Sequence, residues 1–464
     1  MDKRSQPGRA VRYSHRGRDG ARAREPRLSA REVARRALSD VVRSGSYVSA
    51  ALDRHLNTTS LSAEDKRLAA GLFFAAVENR LLLDARLSQF WAERPEPTVE
   101  DILHIAAAQL LLMDRIPDHA AVDEAVKQTR ASGRDGLAGL VNGVLRSLIR
   151  ARDAGELPDI EDPAVRYSFA PCVARRLCEA YGAQEAEAIM ADRPRPSQTI
   201  RFNALKTDAA AFEAYLNKHD VIWERGAVPG AYRCPAAGNL ARLDGFRNGY
   251  FSIQGESSML AALAVEARPG MNVLDACAAP GGKSALIAEQ MGDVGRVYAW
   301  DVHEHRVELI RAAKRRLGLD CLRPAVRDAR RPYEDFELLM DAVLVDAPCS
   351  GLGVIADKPD IKYNVTDEQI ASLLPLQAEL LENCARFVRV GGLLVYSTCT
   401  ILPEENRRQV LAFLEKHPEF EPETDAGYLP ESLRCRAQDG MAQLLSHRDG
   451  VEGFFIARMR RRGV

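Results

Sequence analysis

Asp275-Ala-Cys-Ala-Ala-Pro-Gly-Gly-Lys283 is the stretch that decides the fold. It closes an apolar run of strand length, Asn272–Cys277, and opens into Ser284–Met291, which has helical spacing. Strand, glycine loop and helix in that order begin a βαβ unit. The alternation continues downstream. Arg296–Asp301, Leu322–Val326, Ala342–Asp346 and Leu393–Thr398 read as strands, and His305–Leu317 reads as a helix. Thr366 with Gln369 three residues later is a capping-box start. Pro375 is expected to begin a second helical segment that runs to Val388, with Gly391-Gly392 ending it. Strands separated by helices predict a parallel, doubly wound α/β sheet of Rossmann-like type, with ligands at the C-terminal ends of the strands.

Those strand ends carry the chemically suggestive residues. Gly281 and Gly282 let backbone approach a ligand closely. Asp301 ends the second strand, where an acid can accept from ribose hydroxyls. Asp328, just past the third strand, is placed to hold an adenine amino group, and Asp346 ends the fourth. The spacing is neither G-x-G-x-x-G nor a Walker loop, so a ligand with ribose and adenine but without phosphate is expected. Cys349, in Asp346-Ala-Pro-Cys-Ser-Gly351, and Cys399, in Ser397-Thr-Cys-Thr400, follow two strands expected to be neighbours. Two thiols facing one cleft fit a disulfide, a metal site or a catalytic pair. No His or Cys stands at ligand spacing from them, so no metal is expected.

Upstream, Arg31–Val42, Ala63–Leu83, Val99–Met113, Val122–Ala131 and Leu137–Arg150 carry apolar residues at three- and four-residue spacing. Residues 28–156 therefore form an expected all-α domain, in which His104 and His119 read as satisfied side chains. Residues 157–235 suggest a linker and a small α+β domain, with a helix at Ala209–Lys218 and strand-like pieces at Thr199–Asn203 and Val221–Trp223. The α/β domain takes 236–464. Residues 1–27 hold nine Lys/Arg against three acids and read as a disordered basic arm, either a solvated extension or a contact for RNA phosphates.

The totals bound the rest. At 464 residues and 46% apolar, the chain is long enough for several ordinary cores, and its net charge of -1 does not announce a nucleic-acid binder. Nine cysteines without a spaced framework, no secretory leader and no membrane-length apolar run lead to an expected cytoplasmic location with reduced thiols.

In order, Gln254–Ser257, Asp275–Lys283, Asp301, Asp328, Asp346–Gly351, Pro359–Lys362, Ser397–Asn406 and Gly453–Arg458 resemble the motifs of the RNA cytosine-C5 methyltransferases of the NOL1/NOP2/Sun group. The helical region resembles a NusB-type RNA-binding domain. The resemblance implies S-adenosyl-L-methionine (SAM) as cofactor, held by Cys277, Ala278, Ala279, Pro280, Gly281, Gly282, Lys283, Asp301, Asp328 and Asp346. It implies Cys399 as nucleophile on cytosine carbon 6 and Cys349 as the residue that helps release product. Asp346 would meet N3 of the base, and Lys283 would supply positive charge. The partner implied is RNA, most naturally ribosomal RNA of the small subunit, with no membrane and a monomer favoured. The same chemistry on transfer RNA or another RNA, a non-catalytic assembly factor, and a thiol-redox protein are the alternatives. Amino-group methylation is disfavoured, because Cys349 stands where a stacking aromatic is needed. The chain departs from the group at Ala356-Asp357, where two basic residues are common, at Tyr363 for Trp and at Leu352 for Thr. Lys358, Lys362 and the basic arm are expected to replace the lost phosphate contacts, and Tyr363 to stack.

Overall fold

The computed structural model describes residues 28–44, 46, 48–193, 197–235 and 238–463. The basic arm lies outside them. The N-terminal region is helical: α1 (Ala30–Ser44), α2 (Val48–Asn57), α3 (Ala63–Glu78), α4 (Arg80–Leu87), α5 (Pro97–Leu112), α6 (Asp118–Ala131) and α7 (Ala138–Asp153). The Ser62 side chain caps α3 by accepting from the Asp65 amide. The run expected from Ala63 to Leu83 is broken at Asn79, whose backbone leaves helical geometry, so α4 turns away. Helix α5 is buried on nearly every face, and Leu72, Phe73, Ile102, Leu103, Val141 and Leu145 share its core.

Three linker helices follow, α8 (Pro163–Arg166), α9 (Pro171–Tyr181) and α10 (Ala183–Ala191). A small antiparallel sheet comes next, built from β1 (Ser197–Phe202), β2 (Glu224–Arg225), β3 (Ala231–Pro235) and β4 (Phe251–Ile253) in the order β2-β3-β1-β4, with α11 (Ala209–Lys218) and α12 (Asp244–Arg247). Two expectations are corrected here. Val221–Trp223 is not a strand; the pairing starts one residue later, at Glu224 opposite Arg233. Strand β4 lies beyond residue 235 yet completes the small sheet, because Phe251 packs into its aromatic core beside Phe212 and Tyr232.

The large sheet is entered through α13 (Glu256–Leu263) and alternates β5 (Asn272–Asp275), α14 (Gly282–Gln290), β6 (Arg296–Asp301), α15 (Glu304–Leu317), β7 (Leu322–Val326) and β8 (Met340–Asp346). It continues through α16 (Ile361–Asn364), α17 (Asp367–Ala385), β9 (Val388–Thr398) and α18 (Arg407–Lys416). Then come β10 (Phe420–Pro422), β11 (Ala437–Gln438), β12 (Met441–Leu444), α19 (Ser446–Asp449) and β13 (Phe454–Arg461). The strand order is β11-β12-β13-β9-β8-β5-β6-β7, with β10 on β13. Strands β9-β8-β5-β6-β7 are parallel, as expected for a Rossmann-like sheet. The chain runs outward from β5 in both directions, so a topological switch point lies between β5 and β8. Strand β13 adds antiparallel to β9 and makes the sheet mixed.

Two further corrections concern the segment before Cys399. Pro375 lies inside one continuous helix, α17, beside a Leu374 carbonyl that accepts from Gln409 Nε2. Gly391 and Gly392 belong to β9 rather than to a helix stop. The β8–β9 register slips between Met340 and Ala342, and Gly391 takes a φ of +76° that only glycine adopts freely. No helix among the described residues is long and apolar enough to cross a membrane.

Candidate active site

Two adjacent parallel strands deliver the two thiols. Strand β8 ends at Asp346 and turns through Pro348 to Cys349, while β9 ends at Thr398 and leads into Cys399. The Sγ atoms lie 3.4 Å apart, and both cysteines are unbridged. The pair shares a proton unequally. The Cys349 thiol donates toward Cys399, which pulls Cys399 below the ordinary thiol range against its burial and the Asp346 charge, with Lys283 and Lys358 assisting. The same bond and burial push Cys349 well up, and the Glu405 and Asp346 carboxylates add to that.

Beside the thiols, Lys283 Nζ donates to Asp346 Oδ2 at 2.7 Å. Burial disfavours the Lys283 charge, but Asp346 outweighs it and holds the ammonium above its ordinary pKa. The ammonium also sits 5.5 Å from the centre of the Phe454 ring, so β13 helps to fix it. Asp346 Oδ1 accepts from Ser397 Oγ at 2.8 Å. Each carboxylate oxygen keeps a lone pair for a further donor.

The Cys277–Lys283 loop joins β5 to α14. Gly281 has a φ of +106°, and a side chain there would press on Ile310 at 3.3 Å. Asp275, beneath the loop, is fully buried; Ser284 Oγ donates to Oδ2 at 2.6 Å, while Oδ1 has no partner. Burial, opposed by that bond, pushes its carboxyl up to about 7. Asp301 is tied to the loop through Arg306, which pairs with Asp301 Oδ2 at 3.0 Å and donates to the Ala279 carbonyl at 3.1 Å. Asp328 stands apart. Arg330 forks onto both its oxygens at 2.9 and 2.7 Å and holds it below the usual carboxylate range, so an adenine amino group would have to share it. Cys277 is half-buried, and desolvation pushes its thiol well up, which suits packing rather than nucleophilic work.

Several expected residues serve otherwise. Lys362 is 3% exposed, so it offers no phosphate contact; its Nζ donates to the Glu78 and Tyr167 carbonyls at 3.3 and 3.4 Å, pinning α16 to the helical region and the linker. Tyr363 packs against the helical core with its hydroxyl unpartnered, so it does not present a stacking face. His104 is buried, but its Nε2 finds no hydrogen-bond partner and lies 3.6 Å from Asp84. Asp84, Glu100 and His104 converge as metal ligands would, but Arg94 already bridges the two carboxylates at 3.1 and 2.6 Å.

Arg201, Glu289 and Gly353 support the site without any signal in the sequence. Arg201 of β1 donates to Gln254 at 2.9 Å and pairs with Glu289 of α14, which locks the small sheet onto the glycine-loop helix. The Gly353 amide donates to the Cys399 carbonyl at 2.9 Å, and the Gly453 amide donates to the Gly353 carbonyl at 2.9 Å. Any side chain on Gly353 would run into the Gly453 carbonyl, which explains both glycines. A cavity of about 640 Å³ opens beside these turns, with Glu78, Phe169, Arg233, Leu352 and Ile401 in its walls.

The chain is similar to known proteins along nearly its whole length. Residues 262–460 match the family model described as 16S rRNA methyltransferase RsmB/F, and residues 28–150 match the NusB family. The chain is 38% identical over 446 residues to the probable ribosomal RNA small subunit methyltransferase B of Bacillus subtilis, covering 94% of this chain and 100% of that protein. The protein of the same name from Synechocystis sp. is 34% identical with the same coverage. Among solved structures, the crystal structure of PH0851 superposes with a TM-score of 0.77 at 25% identity, covering 94% of this chain and 100% of that one.

Proposed function

The chain belongs to the RsmB/F family of 16S rRNA methyltransferases, SAM-dependent enzymes, and on that premise we propose that it methylates carbon 5 of a cytosine in small-subunit ribosomal RNA through a Cys399–carbon 6 adduct. One observation carries the reading: two free thiols 3.4 Å apart beside the Lys283–Asp346 pair, with Cys349 hydrogen bonding favouring the charged form of Cys399. Carbon 5 of cytosine is a poor nucleophile. Addition of the Cys399 thiolate to carbon 6 makes it enamine-like. An ordinary thiol of pKa ~8.5 is only a few per cent ionised at neutral pH, so the lowered Cys399 answers a chemical need.

Bound SAM supplies the methyl group that carbon 5 takes. The residues fit such a cofactor: the loop turns at left-handed Gly281 into the start of α14 at the C-terminal end of β5, Asp301 is tethered to that loop through Arg306, and Asp275 Oδ1 is an acceptor without a partner. Cys277–Lys283, Asp301, Asp328 and Asp346 are the residues that would hold it. Asp346 shares a proton with N3 of the base and stabilises the charge that builds there as the thiolate adds, while Lys283 and Ser397 hold its carboxyl in place. In release the carbon 5 proton passes to water, its bonding pair re-forms the 5,6 double bond, and Cys399 leaves as the thiolate, with the adjacent Cys349 assisting the departing sulfur. The target base must leave its stack to reach the thiols, and the neighbouring cavity gives the displaced strand room.

The test is methyl incorporation into small-subunit ribosomal RNA with two variants. Cys399→Ala is expected to abolish incorporation while SAM binding persists. Cys349→Ala is expected to accumulate a denaturant-resistant RNA–protein band. Undiminished incorporation in Cys399→Ala sinks the nucleophile assignment, and bisulfite mapping checks the product as 5-methylcytosine.

A further inference from the structure

Glu405 follows the second cysteine turn and is fully buried. Its neighbour Glu404 pairs with Arg176 at 2.6 Å, as an acid near the surface ordinarily does. Among the described residues no Lys, Arg or His pairs with Glu405. Its carboxylate is satisfied by neutral donors alone: Oε2 accepts from the Ser350 amide at 2.9 Å and from Gln377 Nε2 at 2.9 Å, and Oε1 accepts from Ser350 Oγ. Ser350 Oγ in turn lies 2.7 Å from Thr400 Oγ1. Because the Ser350 proton points at Glu405, Thr400 is the donor in that contact. Ser350 follows Cys349 and Thr400 follows Cys399. A single carboxylate thus gathers the residue after each thiol.

The surroundings reinforce the clamp. Gln377 also donates to the Pro348 carbonyl at 2.9 Å, on the other side of Cys349. Tyr396 OH donates to the Glu405 carbonyl at 2.7 Å, and Asn406 Nδ2 donates to the Thr400 carbonyl at 3.0 Å. An unpaired buried carboxylate is costly even when hydrogen-bonded, and apolar packing would stabilise the turn more cheaply. A carboxylate at this position points to a use of the charge and of its reach.

We propose that Glu405 is a positioning residue for the cysteine pair: it ties the Cys349 and Cys399 turns into one unit and holds the Cys349 thiol where product release needs it. The inference rests on the cysteine roles proposed above. It adds no bond change, since Glu405 acts through Ser350 and Thr400 and does not touch the base. Its negative charge also opposes ionisation of Cys349, which leaves Cys399 as the member that attacks.

Glu405→Gln keeps the shape and presents an N–H where one of the Ser350 donors expects an acceptor. With small-subunit ribosomal RNA and SAM, the full-length variant should lose about tenfold or more in multiple-turnover methylation. In the same reactions its RNA–protein adduct should rise above the wild-type level, with SAM affinity unchanged. A merely structural defect lowers turnover and adduct together. Ser350→Ala cuts the link between the two turns with little change in volume, and should show the same signature more weakly; it also serves if Glu405→Gln does not fold. Cys349→Ala run alongside separates the two readings. If Cys349→Ala traps adduct while Glu405→Gln and Ser350→Ala do not, the Glu405 role is wrong and the cysteine roles stand. If Cys349→Ala traps none, the cysteine roles fall and this inference falls with them.

Discussion

The helical region and the strand-end turns bury charge in opposite ways. In the helices, Asp101 is nearly inaccessible, yet Arg43 reaches it at 2.9 Å, and Arg94 bridges Asp84 and Glu100. At the strand ends, Asp275 and Glu405 are equally buried and are met by hydroxyl, amide and backbone donors without a cation. A buried pair of this kind still bears a desolvation cost, since burial raises the Asp101 carboxyl despite Arg43, but its charge is taken up by its own partner. A buried charge held only by neutral dipoles is expensive and stays responsive to whatever binds beside it. The first region is organised by packing and the second by electrostatics, so substitutions should separate them.

The largest expected effect falls in the helices. Phe73 is fully buried in the core of α3 and α5, and Phe73→Ala should cost about 3–5 kcal/mol of stability. Denaturant unfolding of the region checks the loss, and a change under about 1 kcal/mol would mean the core collapses around the gap. Next comes Lys283→Met. Removing the ammonium takes away a charge that favours the Cys399 thiolate and leaves Asp346 without its partner. A nearby opposite charge moves a pKa by roughly 1–3 units, so methyl transfer at neutral pH should fall about 100-fold and recover as pH rises. An unchanged pH profile would remove Lys283 from the electrostatics of the pair.

The two regions also differ in how far they show in sequence. The helices and the five parallel strands were legible because their apolar residues recur at the element's own period or run unbroken between turn residues. The antiparallel additions were not. Strand β13 buries six consecutive residues, Phe454–Met459, and so has no alternation to betray it, while β10 and β11 are three and two residues long. Tyr363 and Lys362 resemble surface recognition residues in sequence, but α16 turns them into a junction whose partners, such as Glu78, lie 284 residues away. At the site, the thiols and acids were legible because they follow strands that must share one edge. Glu405 carries no such signal, since its donors Ser350 and Gln377 lie 55 and 28 residues off and nothing local distinguishes it from half-buried Glu404.

The finest comparison, read as a slope in pH rather than as a loss, sets one buried titrating group from each setting against the other. Lys362, at the helical junction, is desolvated and its pKa is drawn down to about 7. The folded state therefore binds fewer protons than the unfolded chain between about pH 7 and the ordinary lysine value near 10.4, and stability should rise with pH across that window. Asp275, under the glycine loop, is desolvated and pushed up to about 7. Here the folded state binds more protons between the ordinary aspartate value near 3.9 and about 7, so stability should fall as pH rises through that lower window. Each slope is at most about 1.4 kcal/mol per pH unit. Lys362→Met should flatten the upper limb alone, and Asp275→Asn the lower limb alone, in thermal unfolding followed from pH 4 to 10. If either variant flattens both limbs, the two settings are coupled and the division between a packed region and an electrostatic one does not hold.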